Sequence, residues 1–213
     1  MNLQNRLFTS ILLIILFYFA VVNNYVLFLL LIIVLYNIAS EFNNILKIIF
    51  YKKKIIHFLI FTSLVLYFSF FCLFTFNIFL NGSSTKINMI LLIILICIAT
   101  DIGGYVFGKI FKGKKIGKIS PNKTYSGSLG SYFLSFLVVF FFPEIEELNI
   151  NNILFGFIIS TISQFGDLFI SKLKRLSNLK DTGKILPGHG GILDRIDGII
   201  FALPLGYLLV YIL

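Results

Sequence analysis

A succession of apolar runs constrains this chain more than any other feature. They fall at 7–22, 25–39, 55–80, 88–108, 129–142, 152–171 and 192–213. Several reach or approach the roughly 20 residues needed to cross a hydrocarbon core about 30 Å thick, while the first pair reads as a short hairpin turning at Asn23-Asn24 and the fifth is also short; soluble domains do not carry so many. With no water in such a core, each run must satisfy its own backbone N–H and C=O groups, which an α-helix does. The expectation is an all-α fold, a polytopic transmembrane helical bundle of about seven spans. Composition agrees: 58% of the 213 residues are hydrophobic and 13% charged, against about 25% charged in soluble domains. Arg6 precedes the first run, but no small-residue cleavage site follows, so that run reads as an uncleaved span. Cys72 and Cys97 lie inside runs, where Cys serves as a small hydrophobe. They imply neither a disulfide framework nor a metal pair.

Charge orients the bundle. Loop 41–54 carries four Lys, loop 109–128 six, and segment 172–195 another six basic residues. The intervening loop 81–87 has only Lys86, and loop 143–151 has Glu144, Glu146 and Glu147 with no basic residue. Positive charge therefore alternates loop by loop, which places the N-terminus and the three basic loops in the cytoplasm. The same alternation accounts for most of the net charge of +9, so a nucleic-acid partner is not expected. Twelve basic residues in two loops still exceed what orientation requires, and they point to an anionic ligand there.

Only nine acidic residues exist, and Asp101 and Asp167 lie within apolar runs. An intramembrane carboxylate is costly and marks function by default. Asp101 stands eight residues before Lys109 and Asp167 five before Lys172, roughly 8–12 Å below the cytoplasmic boundary at helical rise. Asp194 and Asp197 open the last run at that same boundary, three apart and so on one helix face. Asp167, Ser171 and Lys174 share a face as well. Clustered carboxylates without His or Cys suit a hard cation such as magnesium, which also binds phosphates. Neighbouring Lys and Arg suit a polyphosphate. Together they describe phosphoryl or nucleotidyl transfer at a membrane surface. A transporter would place its ionisable groups near the midplane of repeated halves, and no internal repeat is present.

Two loops carry the remaining polar pattern. Pro187-Gly188-His189-Gly190-Gly191 has too much Gly and Pro for a helix and immediately precedes a run; such a turn lets backbone N–H groups approach an anion. The loop from Ile119 through Ser120, Lys123 and Thr124 to Gly127 is rich in hydroxyls with one Lys. No Walker-type Gly-Lys-Ser/Thr loop occurs.

Taken whole, residues 171–197 resemble the signature of the phosphatidate cytidylyltransferase (CDP-diacylglycerol synthase) family. Its fixed positions are matched by Ser171, Lys174-Arg175, Lys180-Asp181, Pro187, His189-Gly190-Gly191, Asp194-Arg195 and Asp197. Gly166-Asp167-Leu168, Ser120-Pro121-x-Lys123-Thr124 and Asp101-x-x-Gly104-Tyr105-x-x-Gly108 resemble further blocks, with Gly104 where Ala is usual. Ser126 stands where members often carry Glu or Gln. The resemblance covers about 97–213, and divides the chain into N-terminal hydrophobic spans with a basic loop (1–90) and a catalytic membrane region (91–213). It implies an enzyme of phospholipid biosynthesis in a bacterial inner membrane, converting CTP and phosphatidic acid to CDP-diacylglycerol and pyrophosphate at the cytoplasmic face. It also implies a homodimer in the lipid bilayer. On this reading Asp167, Asp194 and Asp197 hold Mg2+, with Asp101 a candidate for a second ion. Lys174, Arg175, Lys180, Asp181, His189 and Arg195 are catalytic, and Ser120, Lys123, Thr124 and Ser171 bind substrate. A related CTP-using lipid kinase would transfer the γ-phosphoryl group instead; the complete signature argues against it.

The charge alternation makes a direct prediction. Cysteines introduced near Lys114 and Thr182 should react with an impermeant thiol reagent only from the cytoplasmic side, and one near Glu146 only from outside. The opposite labelling pattern would invert the topology.

Overall fold

A computed structural model describes residues 3–117, 120, 123–143, 145, 149–186 and 190–209 of the chain. The described residues are all-helical, apart from isolated β-bridges, and divide into two compact units. Residues 1–83 and 173–196 form the first; residues 84–172 and 197–213 form the second.

In the first unit α1 spans Leu3–Val22, α2 Asn24–Ile49 and α3 Lys54–Asn81. The Asn23 side chain starts α2 by accepting from the Tyr25 amide at 2.9 Å, the usual service of Asn at an N-cap. The buried stripe of α2 runs through Leu27, Leu31, Ile38, Phe42, Ile45 and Leu46, at helical spacing. It packs on α3 (Phe42 and Phe68 stand 5.3 Å apart between ring centroids). The stripe continues past residue 39, where hydropathy ends the second run, and so does the helix. Part of the expected loop 41–54 is therefore helical, and Glu41 and Lys47 lie on α2.

In the second unit α4 spans Ser84–Phe111, α5 Tyr125–Phe141, α6 Ile150–Leu176 and α8 Ile199–Leu209; the last turn of α6 belongs to the first unit, as does the short α7, Leu193–Ile196. Helices α4 and α5 approach at Gly103 and Gly130. A Cβ on Gly103 would stand 2.7 Å from the Gly130 carbonyl carbon and 2.9 Å from the Ser131 Cα. Lipid supplies no hydrophobic force between helices, so close backbone packing of small residues and interhelical hydrogen bonds must hold them. Both are present. Ser131 Oγ donates to the Thr100 carbonyl at 2.6 Å, and Thr100 Oγ1 donates to Ser160 Oγ at 2.9 Å, joining α4 to α5 and α6.

Among the described residues four helices, α2, α3, α4 and α6, are long and apolar enough to cross a membrane, and two shorter apolar helices cover Ile11–Val22 and Tyr125–Phe141. Large apolar side chains such as Leu66, Ile102 and Phe165 stand exposed on the long helices, as lipid contact demands. The chain is a membrane protein built of helices. The last run differs from the expected continuous span. α7 ends at Ile196, Asp197 and Gly198 form a turn, and α8 follows. Asp194 and Asp197 therefore do not lie on one helix. The Gly198 amide donates to Asp197 Oδ1 at 2.9 Å, a local bond of the kind by which Asp competes with helix.

The Gly103 contact is testable against Gly117, where nothing lies within 4 Å of an added Cβ. Ala favours a helix interior by about 1 kcal/mol over Gly, yet Gly103→Ala should be net destabilising, since overpacking costs about 1–3 kcal/mol. Thermal unfolding in detergent should show a lowered midpoint for Gly103→Ala and none for Gly117→Ala.

Candidate functional site

The signature segment begins where α6 ends. Asn178 adopts φ +55, and the Leu179 amide reaches back to the Lys174 carbonyl at 2.8 Å while the Asn178 amide bonds the Arg175 carbonyl at 3.2 Å. This pair of bonds is the Schellman ending that a left-handed residue permits. Lys180 and Asp181 follow on the surface, and Thr182 turns inward and is buried. Leu186 and Gly190 then exchange two backbone hydrogen bonds, Leu186 N to Gly190 O at 2.9 Å and Gly190 N to Leu186 O at 3.1 Å. Pro187, Gly188 and the candidate His189 lie outside the described residues. Gly190 has φ +88, a conformation L-residues rarely adopt.

Asp194, on α7, organises this segment. Its Oδ1 accepts from Lys174 Nζ at 2.7 Å. Its Oδ2 accepts from the Thr182 amide at 2.8 Å and the Gly191 amide at 3.1 Å. Burial raises the carboxyl's affinity for a proton. The Lys174 ammonium and the two amides outweigh that effect and hold it below the ordinary carboxylate range. Asp194 lies before α8, outside the long apolar helices. Arg175 and Arg195 are exposed, one on the last turn of α6 and one on α7.

A further carboxylate meets this segment, and hydropathy did not single it out. Glu41 of α2 is only 2% exposed. It accepts from Thr182 Oγ1 at 2.6 Å, the Ile192 amide at 2.9 Å and the Leu193 amide at 3.0 Å. A run that ends at 39 leaves Glu41 in the expected loop 41–54. The helical spacing of Ile38, Phe42 and Ile45 was the signal that could have placed it beside an apolar stripe.

The second unit holds another pair. Lys123 Nζ forms a salt bridge with Asp167 of α6, and Ser171 Oγ donates to Asp167 Oδ1 at 3.3 Å. Lys123 is held by its loop. Its carbonyl accepts from the Ile116 amide at 3.0 Å, and the Tyr125 amide reaches the Lys114 carbonyl at 3.0 Å. Thr124 caps α5 by accepting from the Gly127 amide at 3.1 Å. Ser126 fastens the same loop, accepting from the Gly113 amide at 3.1 Å. The Ser120 carbonyl accepts from the Lys123 amide at 3.1 Å. Asp197 is buried, and its carbonyl lies on α6 at Gly166, where a Cβ would come within 2.7 Å of it. The Asp197 backbone therefore packs on α6 one residue before Asp167. Asp101 is exposed on α4.

The structure therefore brings Lys174 to Asp194, and Lys123 and Ser171 to Asp167. Among the described residues no three His, Cys, Asp or Glu side chains gather as a ready metal cage. The donors present are carboxylate and hydroxyl oxygens beside Lys. That set fits magnesium, which keeps waters and takes phosphate oxygens rather than needing an all-protein shell.

The profile of the cytidylyltransferase family matches residues 1–213. The phosphatidate cytidylyltransferase of Staphylococcus aureus (strain COL) is 44% identical over 134 residues, 61% of this chain and 52% of the relative. That of Staphylococcus haemolyticus (strain JCSC1435) is 40% identical over 134 residues, with the same coverage. These alignments span about half the length of the curated relatives.

The Asp194 interactions set a pH dependence. A carboxyl whose folded pKa is depressed contributes stability that is present above the ordinary Asp value of about 3.9 and lost as pH falls through the folded value. Acidification below about pH 4 should therefore lower the unfolding midpoint of the wild type more than that of Asp194→Asn. Parallel pH curves would show that Asp194 gains nothing from Lys174 and its amides.

Proposed function

Because the chain belongs to the cytidylyltransferase family, matched along all 213 residues, we propose that it transfers the cytidylyl group of CTP to phosphatidic acid, giving CDP-diacylglycerol and pyrophosphate. The observation that carries this reading is the complete signature at 171–197, within which Lys174 pairs with Asp194. The name of the relatives agrees with it.

The reaction asks little covalent help of the protein. The lipid phosphate is already an anionic nucleophile. One of its oxygens bonds to the α-phosphorus of CTP as the bond from that phosphorus to the bridging oxygen breaks, and pyrophosphate leaves with the electron pair. What limits the reaction is repulsion between two anions and the alignment of attack. Lys174, Arg175, Lys180 and Arg195 would neutralise phosphate charge, with Arg suited to bidentate contact. Lys123 would contact nucleotide or lipid phosphate, with Ser120 and Thr124 beside it in sequence and Ser171 donating to the same Asp167. Mg2+ would be held by Asp167 and Asp197 and would supply charge stabilisation to the phosphates. Asp194, whose oxygens already accept Lys174 and two amides, would act through Lys174 or through water. Asp181 and His189 would complete the signature's polar set, and Asp101 would serve a second ion.

The charge alternation supports the finer topology: seven spans, a cytoplasmic N-terminus, and a site at the cytoplasmic face, where CTP is available. Bacterial relatives support an inner-membrane location, and the homodimer rests on the family resemblance.

Purified protein in detergent with CTP, phosphatidic acid and magnesium should yield the liponucleotide and pyrophosphate, and EDTA should abolish both. Release of CDP, or turnover without a divalent cation, would overturn the reading. Asp167→Asn and Asp197→Asn should each lower turnover at least about 100-fold, near 3 kcal/mol of transition-state stabilisation. Glu144→Gln and Glu147→Gln should change it less than about twofold.

A further inference from the structure

We propose that Glu41, on α2 and far from the signature in sequence, is the positioning residue that fixes Thr182 relative to Ile192 and Leu193 in the signature segment. The chemistry assigned to that segment rests on the function proposed above; the geometry does not. Among the described residues, every hydrogen bond that Glu41 accepts comes from this one segment: the Thr182 hydroxyl at 2.6 Å and the amides of Ile192 and Leu193 at 2.9 and 3.0 Å. The contacts join residues up to 152 positions apart. One carboxylate thus ties the beginning of the segment to its end.

Four of the signature's charged residues adjoin those ends. Lys180 and Asp181 immediately precede Thr182; Asp194 and Arg195 immediately follow Leu193. Thr182 is the shared element, because its amide serves Asp194 Oδ2 at 2.8 Å while its hydroxyl, also 3.0 Å from that oxygen, lies closer to Glu41. A hydroxyl has one proton to give, and the nearer Glu41 oxygen takes it. The glycines agree with this arrangement. A Cβ on Gly183 would stand 2.6 Å from Glu41 Oε1, and one on Gly191 would collide with both Thr182 Oγ1 and Glu41 Oε2. Gly at these two positions is what lets the carboxylate reach the backbone.

An anion suits this role because it only accepts. Three donors converge on two oxygens, and bonds to a charged acceptor are stronger than neutral ones. Gln keeps the shape of Glu but turns one acceptor into an N–H donor, which would face a donor. Loosening the segment would shift the charged residues at both its ends, and small misplacements of groups that align a reaction are costly in rate.

Glu41→Gln, Thr182→Val and the double variant test the proposal, with Asn43→Ala as the control. Asn43 lies on the same helix and meets His57 Nε2 at 3.1 Å. Hydrogen exchange of the 182–193 amides, the unfolding midpoint in detergent, and kcat and KM for both substrates would be measured. Glu41→Gln should speed amide exchange across 190–193 about tenfold or more, since a pinned amide opens only by local unfolding. It should lower kcat at least about tenfold with KM for phosphatidic acid changed less than about threefold. The double variant should be no worse than Glu41→Gln alone, because both substitutions cut one linkage. Unchanged exchange in the segment, additive losses, or a kcat loss that Asn43→Ala reproduces in proportion to its melting would overturn the proposal. A wild-type protein making no liponucleotide would remove the proposed function while leaving the exchange measurement to decide on Glu41.

Discussion

A carboxylate carried into a packed helical protein loses the water that solvates it, at a cost of several kcal/mol unless fixed donors take its place. Among the described residues, Asp167, Asp194 and Glu41 meet that requirement with different partners. Asp167 has Lys123. Asp194 has Lys174 and two backbone amides. Glu41, the most buried, has a hydroxyl and two amides. Each solution ties a different stretch of chain to a helix, so the requirement to compensate buried charge also shapes the polar loops. The cations recruited for this purpose are those that the proposed reaction would turn toward phosphate.

Small residues do the complementary work. Gly103 and Gly130 let α4 and α5 touch backbone to backbone, and Gly166 lets the turn at Asp197 lie directly on α6 beside Asp167. Gly183 and Gly191 admit the Glu41 carboxylate to the signature segment. At each of these places an added methyl group would meet backbone, a buried acceptor or, at Gly130, the Phe107 ring, so the glycines are spacers set by sterics rather than loose joints. Among the described residues Gly190 alone is a glycine in the left-handed region.

Much of the site was legible as pattern. Asp167, Asp194 and Asp197 stood out because carboxylates are rare in apolar sequence, and Lys174 and Lys123 because they sit in dense basic loops. Pattern did not show which cation each carboxylate would meet. The expected shared face of Asp194 and Asp197 failed because a local Asp197–Gly198 hydrogen bond ends the helix, an effect that helical spacing does not contain. Glu41 escapes hydropathy, which averages over a window, whereas α2 continues on a narrower stripe of Ile38, Phe42 and Ile45.

Taken alone, the amino-acid sequence determined that this chain lives in a membrane as helices, where its basic loops fall, and which segment carries the family signature. These are properties of composition and local period, and they are complete in a stretch of some twenty residues. The tertiary structure decided the pairings: Lys123 with Asp167, Lys174 with Asp194, and Glu41 with a segment about 150 residues later. Such pairings depend on where helices approach and on which side chains are small enough to allow it. No local window holds that information, because a buried charge is satisfied by whatever donor the fold brings within about 3 Å of it.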